Sequence, residues 1–279
     1  MPELPEVETV RRSLEPKLLG KIITGIEVNL PKLIKIPQGD ERMFKEILIG
    51  SKFNEIKRRG KYLLFYMDNS WVLVIHLRMT GRLLYVHGNT TVEKHTHFIF
   101  YLDDGNELRF HDIRQFGLLY LVPQNGLGAI SGLKKLGPEP LSTEFTLECL
   151  KEAVKGKKQK VKVFLLDQSC IAGIGNIYAD EILFQAGIHP SETVDKLTVE
   201  KLKALWEAIR DRLRAGVEHR GTSIKNYVDG FGEVGSFQYQ LKVYGKAGQP
   251  CFNCGKEIER TKVGGRSTAY CPYCQRKSE

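Results

Sequence analysis

The spacing of apolar residues changes along the chain and predicts different secondary structure in its two halves. In residues 5–18 the apolar positions recur every three or four residues, which predicts a helix with one buried face. Short strand-like runs follow in close succession, at residues 22–28, 62–66, 71–77, 82–86, 98–102, 107–110 and 118–122. Asp104-Gly105 predicts a hairpin turn between two of them. Strands with few helices between them predict a β-sandwich or barrel.

The second half has a helical pattern. Residues 123–140 are rich in Gly and Pro and predict a domain boundary. Helices are expected at residues 145–154, 176–186 and 199–215, and for the last one Thr198 is the expected start cap and Gly216 the expected end. Residues 221–235 are Gly-rich and polar, which predicts a mobile loop of the kind that serves as a lid.

Four cysteines near the end of the chain have the spacing of a metal site. They form two Cys-x2-Cys pairs, Cys251/Cys254 and Cys271/Cys274, with sixteen residues between the pairs. Disulfides and redox dithiols are the alternatives, but this spacing, and the absence of any sign of export, favour one structural Zn²⁺ held by four thiolates. Gly264-Gly265 is the expected turn of a β-hairpin between the pairs.

Charge and composition narrow the class of partner. The 279 residues carry 42 Lys+Arg against 33 Asp+Glu, a net charge of +9, which favours a polyanionic partner. Basic residues concentrate in 151–162 and around the cysteines, although either cluster alone is also typical of a solvated face. No apolar run reaches the roughly 18 residues of a membrane span, and the acidic, proline-containing N-terminus is unlike a signal peptide. With four of the six cysteines assigned to metal, a reducing, cytoplasmic setting is expected.

The N-terminus offers a candidate nucleophile. Removal of Met1 exposes the secondary amine of Pro2, and an α-amino group titrates near ~8, so part of it is unprotonated at neutral pH and able to form a Schiff base. Glu3 and Glu6 lie next to it as a candidate proton donor and an orienting carboxylate. Taken alone, these glutamates are equally typical of a helix N-terminus.

Motifs along the rest of the chain strengthen the hypothesis that Pro2 is a nucleophile. Residues 1–9, Met-Pro-Glu-Leu-Pro-Glu-Val-Glu-Thr, resemble the N-terminus of the formamidopyrimidine-DNA glycosylases, enzymes that excise oxidised purines such as 8-oxoguanine. Further segments resemble motifs of that family in the expected order, and they are residues 59–63, 76–81, 112–117, 136–141, 173–178 and 265–268. The resemblance covers nearly the whole chain. It implies a bifunctional glycosylase whose N-terminal proline forms a Schiff base and drives β,δ-elimination at the abasic site.

The resemblance also implies a role for each matched catalytic residue. Pro2 is the expected nucleophile at the sugar C1′, Glu3 the acid that protonates the opening sugar, and Glu6 a support for both. Lys61 is expected to contact the phosphate beside the lesion and to assist strand cleavage. Arg266, in the cysteine-held hairpin, is expected to grip DNA close to the lesion, since a guanidinium pairs bidentately with phosphate.

A second group of matched residues is expected to bind DNA. Met79, Arg114 and Phe116 resemble the triplet that fills the gap left by a flipped-out nucleotide, which recovers part of the lost stacking. Asn176 is expected at a helix start, where a phosphate is favoured. The remaining expected contacts are His95, Lys157 and Lys162, and loop residues Thr222 and Tyr227 are expected at the flipped base.

These observations predict an α+β protein in three parts: a catalytic β-sandwich (1–130), a helix–two-turn–helix domain (131–235) and a zinc finger (236–279). The expected partner is damaged double-stranded DNA, bound by a monomer at the bacterial nucleoid, with no membrane association. Leu4 favours the purine-lesion branch over the endonuclease VIII branch, which usually has Gly there. A non-catalytic zinc-ribbon protein that binds damaged DNA is the alternative from another class.

Overall fold

The structure, a computed structural model, describes residues 1–224 and 227–277 and divides into two compact units. The first comprises Met1–Lys134 and His219–Ser236, and the second Lys135–Glu218 and Phe237–Glu279. This division differs from the predicted three parts, because the chain after residue 218 returns to the first unit. There the backbone N–H of Tyr85 donates to the carbonyl of Gly230 at 2.8 Å.

The first unit is a sandwich of two sheets. Its helices are α1 (Leu4–Leu18), α2 (Glu41–Leu48) and the short α3 (Ser131–Lys134). Its strands are β1 (Ile23–Val28), β2 (Ile34–Ile36), β3 (Phe53–Arg59), β4 (Tyr62–Met67), β5 (Trp71–His76), β6 (Gly81–His87), β7 (Thr96–Leu102), β8 (Asn106–Asp112) and β9 (Leu118–Pro123). One sheet has the order β1-β7-β8-β6 and the other β2-β9-β5-β4-β3. The predicted β-sandwich is confirmed.

One apolar core joins the two sheets to the helices. The buried face of α1, with Val7 and Leu14, belongs to the same cluster as Phe44 of α2 and residues of both sheets. The predicted Asp104-Gly105 turn is present between β7 and β8, with Gly105 at φ +78°. The sequence pattern did not predict α2, β2 or β3. Helix α2 buries only Phe44 and Leu48, and β2 has three residues, so neither is long enough for a clear periodicity.

The second unit is helical and ends in a hairpin. It contains α4 (Leu147–Val154), α5 (Val161–Leu166), α6 (Asn176–Gln185), α7 (Val199–Glu218), β10 (Glu259–Val263) and β11 (Arg266–Tyr270). Thr198 caps α7 as predicted, since its Oγ1 accepts a hydrogen bond from Lys201 N at 3.3 Å. The predicted end at Gly216 is wrong, because α7 continues to Glu218. Helix α5, of six residues, was not predicted.

The Gly-rich loop at 221–235 belongs to the first unit, and its described residues, 221–224 and 227–235, form neither helix nor strand. The buried carboxylate of Asp229 organises it, accepting hydrogen bonds from the backbone N–H groups of Phe231 (2.9 Å) and Glu233 (3.0 Å) and pairing with Arg220. Residues 225 and 226 lie outside the described residues. Among the residues that the structure describes, no helix is both long enough and apolar enough to cross a membrane.

Candidate functional site

The N-terminal residues are held at the start of helix α1. Pro2 and Glu3 are buried, and Glu3 is the N-cap residue, the last before the helix. The backbone N–H of Glu3 donates to Glu6 Oε2 at 2.8 Å, while Glu6 Oε1 accepts from the backbone N–H of Thr222 at 2.7 Å. Glu6 therefore fixes the N-terminus with one oxygen and the base of the Gly-rich loop with the other. Both carboxylates also lie at the positive end of the helix dipole.

The loop approaches Glu6 closely because of a glycine. Gly221 has φ +81°, and a Cβ at this position would lie 2.9 Å from Glu6 Cγ. The hydroxyl of Tyr227 adds a second tie, donating to the carbonyl oxygens of Glu6 and Arg220, each at 3.2 Å. Of the two loop residues expected at a flipped base, Thr222 thus contacts Glu6 through its backbone, and Tyr227 contacts the same residue through its side chain.

Lys61 occupies a tight turn. Arg59 pairs with Tyr62 across β3 and β4, so Gly60 and Lys61 form a two-residue connection. Gly60 has φ +56°, as the first residue of a type II′ turn requires. The Lys61 side chain is buried. Its charge contributes to lowering the pKa of neighbouring His76 to about 3, after burial and Arg78, the two larger causes.

His76 is a residue that sequence reasoning did not single out. Its ring packs edge-on against Tyr62 at 4.5 Å, and its Nδ1 accepts the backbone N–H of Arg78 at 3.0 Å. With a pKa of about 3 the imidazole is neutral at physiological pH, so its proton resides on Nε2. His76 is therefore a neutral donor beside Lys61 and Arg78. Its only signal in the sequence was its place in the 76–81 motif.

The predicted triplet comes together on the surface of the first unit. The guanidinium carbon of Arg114 lies 4.7 Å from the ring centroid of Phe116, and Arg114 Nη1 lies 3.0 Å from Met79 Sδ. The side chains are exposed, Met79 by 42% and Phe116 by 49%. Exposed apolar side chains of this size beside a cation form a surface suited to stacking against nucleobases.

Asp112 builds this surface, although sequence reasoning assigned it no role. Its fully buried carboxylate accepts the hydroxyl of Thr80 through Oδ1. Oδ2 accepts the backbone N–H groups of Phe116 and Gly117, both at 2.8 Å. One carboxylate therefore holds the loop that carries Met79 and the loop that carries Phe116.

His95 lies next to this carboxylate residue. Its carbonyl accepts the backbone N–H of Asp112 at 3.0 Å, and its own φ is +74°. The ring is half-buried, 6.1 Å from the ring of His111. His97 Nε2 donates to the carbonyl of Asp112 at 2.9 Å. Asp112 therefore fixes His95 through its backbone N–H, and it fixes the loops that carry the triplet through its carboxylate.

The four predicted cysteines converge in the second unit. Their Sγ atoms all lie within 4.8 Å of one another, with 3.9 Å between Cys251 and Cys274 and 3.5 Å between Cys254 and Cys271. Tetrahedral Zn²⁺ with Zn–S bonds of about 2.3 Å requires S–S separations of about 3.8 Å, so the cluster fits one zinc ion. All four positions are thiolates, so the site is structural.

Arg266 is presented by the hairpin that zinc stabilises. Val263 pairs with Arg266 across Gly264 and Gly265, whose φ angles of +57° and +74° match the predicted turn. The tip packs against α5, since a Cβ on Gly264 would lie 2.6 Å from Val163 Cγ2. Arg266 itself is exposed.

Lys162 corrects a prediction. Its side chain is fully buried and pairs with Asp180 at 2.6 Å, while its Nζ also donates to the carbonyl of Ser267 and to Thr268 Oγ1. The expected direct contact with DNA is therefore wrong, because the ammonium group is enclosed. Asp180 Oδ2 accepts the backbone N–H of Ala269 at 3.0 Å, so the ion pair joins α5 and α6 to strand β11.

Asn176 and Lys157 lie in the same unit as Arg266. Asn176 is the first residue of α6 and half-buried, and its Nδ2 donates to the carbonyl of Ser267 at 3.0 Å, so it adds another tie to β11. The turn before it is held by Gln168, whose side chain bonds the carbonyl of Ile174. Lys157 is half-buried in the connection between α4 and α5.

Comparison with known proteins agrees with these features. Three family models match in order: the formamidopyrimidine-DNA glycosylase N-terminal domain (residues 1–119), the formamidopyrimidine-DNA glycosylase H2TH domain (136–228) and a zinc finger found in FPG and IleRS (248–276). The β-sandwich, the helices of the helix–two-turn–helix (H2TH) domain and the four-cysteine hairpin together define the class of zinc-finger DNA glycosylases of base-excision repair.

Full-length relatives make the assignment specific. The formamidopyrimidine-DNA glycosylase of Desulforamulus reducens is 49% identical over 277 residues, 99% of each chain. The chain belongs to the formamidopyrimidine-DNA glycosylase family. Among solved structures, a mutant of the Lactococcus lactis FPG in complex with a Fapy-dG containing DNA has a TM-score of 0.92 and 37% identity, with coverage of 99% of this chain and 100% of that one. The Lactococcus lactis Fpg in complex with an abasic site containing DNA gives 0.91 and 37%, with the same coverage.

Proposed function

We propose that this protein removes oxidised purines, 8-oxoguanine and formamidopyrimidines, from duplex DNA and then cleaves the strand as an abasic-site lyase. The observation that carries the proposal is the N-terminus: buried Pro2 and Glu3 at the start of α1, fixed by the carboxylate of Glu6. An N-terminal residue that is held in place is better suited to act as a nucleophile than a flexible end of the chain. Membership of the glycosylase family supports the same class of reaction.

The proposed chemistry begins with loss of Met1, since the Pro2 nitrogen is an amide while Met1 is attached. The free amine attacks the sugar C1′ and the bond from C1′ to the damaged base breaks, the base leaving with the electron pair and taking up a proton. Glu3 protonates the sugar ring oxygen as the ring opens, which leaves a Schiff base on Pro2. Elimination of the 3′ and then the 5′ phosphate leaves a one-nucleotide gap.

DNA contacts are assigned from the family resemblance, together with the charge and hydrogen-bond donors of each side chain. Met79, Arg114 and Phe116 occupy the space of the everted nucleotide, and Arg114 hydrogen-bonds the orphaned base. Lys61 and the Nε2–H of His76 are donors for the phosphate next to the lesion. Arg266 pairs with phosphate as a guanidinium fork. Further phosphate contacts are Asn176, Lys157 and His95.

The zinc ion has a structural part in this proposal. The four thiolates of Cys251, Cys254, Cys271 and Cys274 hold it and leave no open position for substrate. It fixes the hairpin that presents Arg266. We propose that the protein works as a monomer on damaged double-stranded DNA, in the cytoplasm and at the nucleoid.

Borohydride trapping tests the mechanism. The protein is incubated with duplexes that contain 8-oxoguanine, a formamidopyrimidine, an oxidised pyrimidine or no lesion, and sodium borohydride reduces any Schiff base to a stable adduct. We expect an adduct with the purine lesions that peptide mapping places on Pro2, and an intact mass that lacks Met1. An adduct on another residue, or none, contradicts the mechanism.

Matched variants separate catalysis from binding. Pro2→Gly and Glu3→Gln are expected to lose excision while they retain affinity for lesion DNA. Pro16→Ala, an exposed proline of the same helix, is the control and keeps full activity. If the wild type excises no lesion and both variants bind lesion DNA as the wild type does, the results support instead the non-catalytic damage-binding protein. A preference for the oxidised pyrimidine supports the endonuclease VIII branch.

A further inference from the structure

A buried ion-pair cluster connects helix α1 to the turn that carries Lys61. Its centre is Glu8, in the second turn of the helix that begins after Glu3. Glu8 Oε1 accepts Arg12 Nε at 2.8 Å and Arg11 Nη2 at 2.9 Å, both within the helix. Glu8 Oε2 accepts Arg58 Nε at 3.0 Å, and Arg58 belongs to strand β3. The Arg58 pair is therefore a link between two different elements.

Of the ion pairs that Glu8 forms with Arg11, Arg12 and Arg58, the pair with Arg58 is the most buried. The side chains of Glu8 and Arg58 are 11% and 10% exposed, whereas Arg12 is 60% exposed. Burial alone raises the pKa of Glu8, but hydrogen bonds from Arg11 and Arg12 and the charge of Arg58 lower it to about 2. The carboxylate is thus ionised at every physiological pH. A buried charge pair of this kind fixes geometry, because either partner left alone is costly.

Arg58 extends the link to the turn itself. Its Nη1 donates to the carbonyl of Gly60 at 3.0 Å, the peptide group that leads directly into Lys61. The planar guanidinium joins a carboxylate on one side to a peptide oxygen on the other, in a geometry that a lysine ammonium does not reproduce. Gly60 at φ +56° has no side chain to hold this peptide.

We infer that Arg58, anchored by Glu8, is a positioning residue that sets Lys61 against the N-terminal helix bearing Pro2 and Glu3. The inference rests on the proposed function, in which Lys61 contacts the phosphate beside the lesion. Lys61 has a long, flexible side chain, so the backbone from which it projects decides where its ammonium reaches. A displacement of about 1 Å at such a position lowers a rate by as much as about 100-fold.

A positioning role for Arg58 predicts that its loss affects the two steps of the reaction differently. Schiff-base formation depends on Pro2 and Glu3 at the start of α1, whereas strand cleavage depends on Lys61, which follows the peptide that Arg58 holds. Loss of Arg58 is therefore expected to slow cleavage and leave Schiff-base formation nearly unchanged. A merely structural role moves both steps together with stability.

The experiment uses the full-length protein in saturating excess over a duplex with a preformed abasic site. Borohydride-trapped adduct and strand cleavage are measured as single-turnover rates for wild type, Arg58→Gln, Arg58→Lys and Arg12→Gln. Arg12→Gln is the matched control, because it removes a hydrogen bond to the same Glu8 carboxylate without touching the Gly60 turn. Thermal unfolding verifies that each variant is folded.

We expect Arg58→Gln to lose at least about tenfold in cleavage with trapping within about twofold of wild type. Arg58→Lys, which retains the charge near Glu8, is expected to lose cleavage selectively as well and serves if Arg58→Gln does not fold. Arg12→Gln is expected to match wild type in both rates. The inference is overturned if the folded Arg58 variants cleave like Arg12→Gln, or if trapping and cleavage fall equally. Failure of wild type to form any adduct would instead refute the proposed function.

Discussion

The carboxylate of Asp112 accepts the backbone N–H of Phe116 at 2.8 Å, and the same carboxylate bonds the hydroxyl of Thr80 beside Met79. Two exposed apolar side chains, far apart in sequence, thus share one fully buried anchor. The backbone on both sides is of a kind that needs such support, since Arg78 and Gln115 have positive φ angles of +55° and +56°. The surface proposed to enter DNA is therefore assembled from inside the protein.

Asp112→Asn is expected to loosen this surface. Oδ1 also accepts the backbone N–H of Arg114 at 3.2 Å, and Oδ2 accepts those of Phe116 and Gly117. Whichever way the amide turns, at least one backbone N–H therefore faces an NH₂ group, which costs about 1–3 kcal/mol. We expect lower stability in urea and a reduced preference for lesion over undamaged duplex in binding titrations. The control is Asp68→Asn, an exposed residue that accepts one backbone N–H, from Lys52. Retention of both stability and preference by Asp112→Asn means that the anchor is not needed.

Lys162→Met is expected to destabilise the second unit. The substitution leaves Asp180 buried without its cation, which costs about 3–5 kcal/mol. Strand β11 also loses the bonds from Lys162 to Ser267 and Thr268. Arg266 should then bind DNA more weakly, although Lys162 itself contacts none. Lys160→Met, at an exposed position close by, is the control.

The cost of Lys162→Met should depend on pH. Burial raises the pKa of Asp180 to about 6, even though Lys162 opposes the shift. A folded-state pKa above the unfolded value means that stability falls as pH rises between the two values. Without Lys162 this fall extends to higher pH, so denaturation should show a larger loss for the variant at pH 8 than at pH 5. Equal losses at both values are incompatible with this account.

Gly216→Ala is expected to destabilise the protein although alanine is the better helix former. The substitution favours the helix by about 1 kcal/mol. Its Cβ would lie 2.5 Å from the Tyr178 hydroxyl, and such overpacking costs about 1–3 kcal/mol. Denaturation should show a net loss, whereas Arg214→Ala, exposed in the same helix, should be neutral or stabilising. A stabilised Gly216→Ala would mean that the two helices yield easily.

Gly216 also shows where prediction from sequence ends. A glycine near the end of an amphipathic stripe has the pattern of a helix stop, but here it provides room for Tyr178 of another helix. Long periodic elements such as α1 and α7 were predictable because their own residues carry the signal. The four cysteines were predictable because two short spacings determine the ligands.

The supporting residues were not predictable in the same way. Asp112 and Arg58 act through hydrogen bonds to loops whose positions follow from the fold. Lys162 has the pattern of a surface lysine in a basic segment, yet its side chain is buried and forms an ion pair with Asp180, eighteen residues later. Sequence motifs thus predict which side chains meet DNA, and the packing shows which residues hold those side chains in place.

Cys254→Ser is expected to remove zinc and with it most DNA affinity. Cys251 and Cys271 belong to the small core that joins the zinc hairpin to Phe184 of α6, so loss of the metal releases the strand that carries Arg266. Metal analysis and binding titrations measure the effect, and chelation of wild-type zinc should reproduce it. Pro2 should remain chemically intact. Cys149→Ser, outside the cluster, should keep both metal and affinity.

Glu8→Gln is expected to show a stability loss that disappears in acid. The pKa of Glu8 is lowered from 4.5 to about 2, so the folded state favours its ionised form and contributes about 3 kcal/mol above pH 4.5. That contribution is lost as pH falls from about 4.5 towards 2, because the wild-type carboxylate then becomes protonated and resembles the amide. Denaturation of both proteins at pH 7 and at pH 3 should therefore show a large gap that narrows. Glu55→Gln, which removes an exposed partner of Lys57, should show little gap at either pH. A gap for Glu8→Gln that stays constant with pH would assign its effect to packing, and the charge of Glu8 would then not be what fixes Arg58.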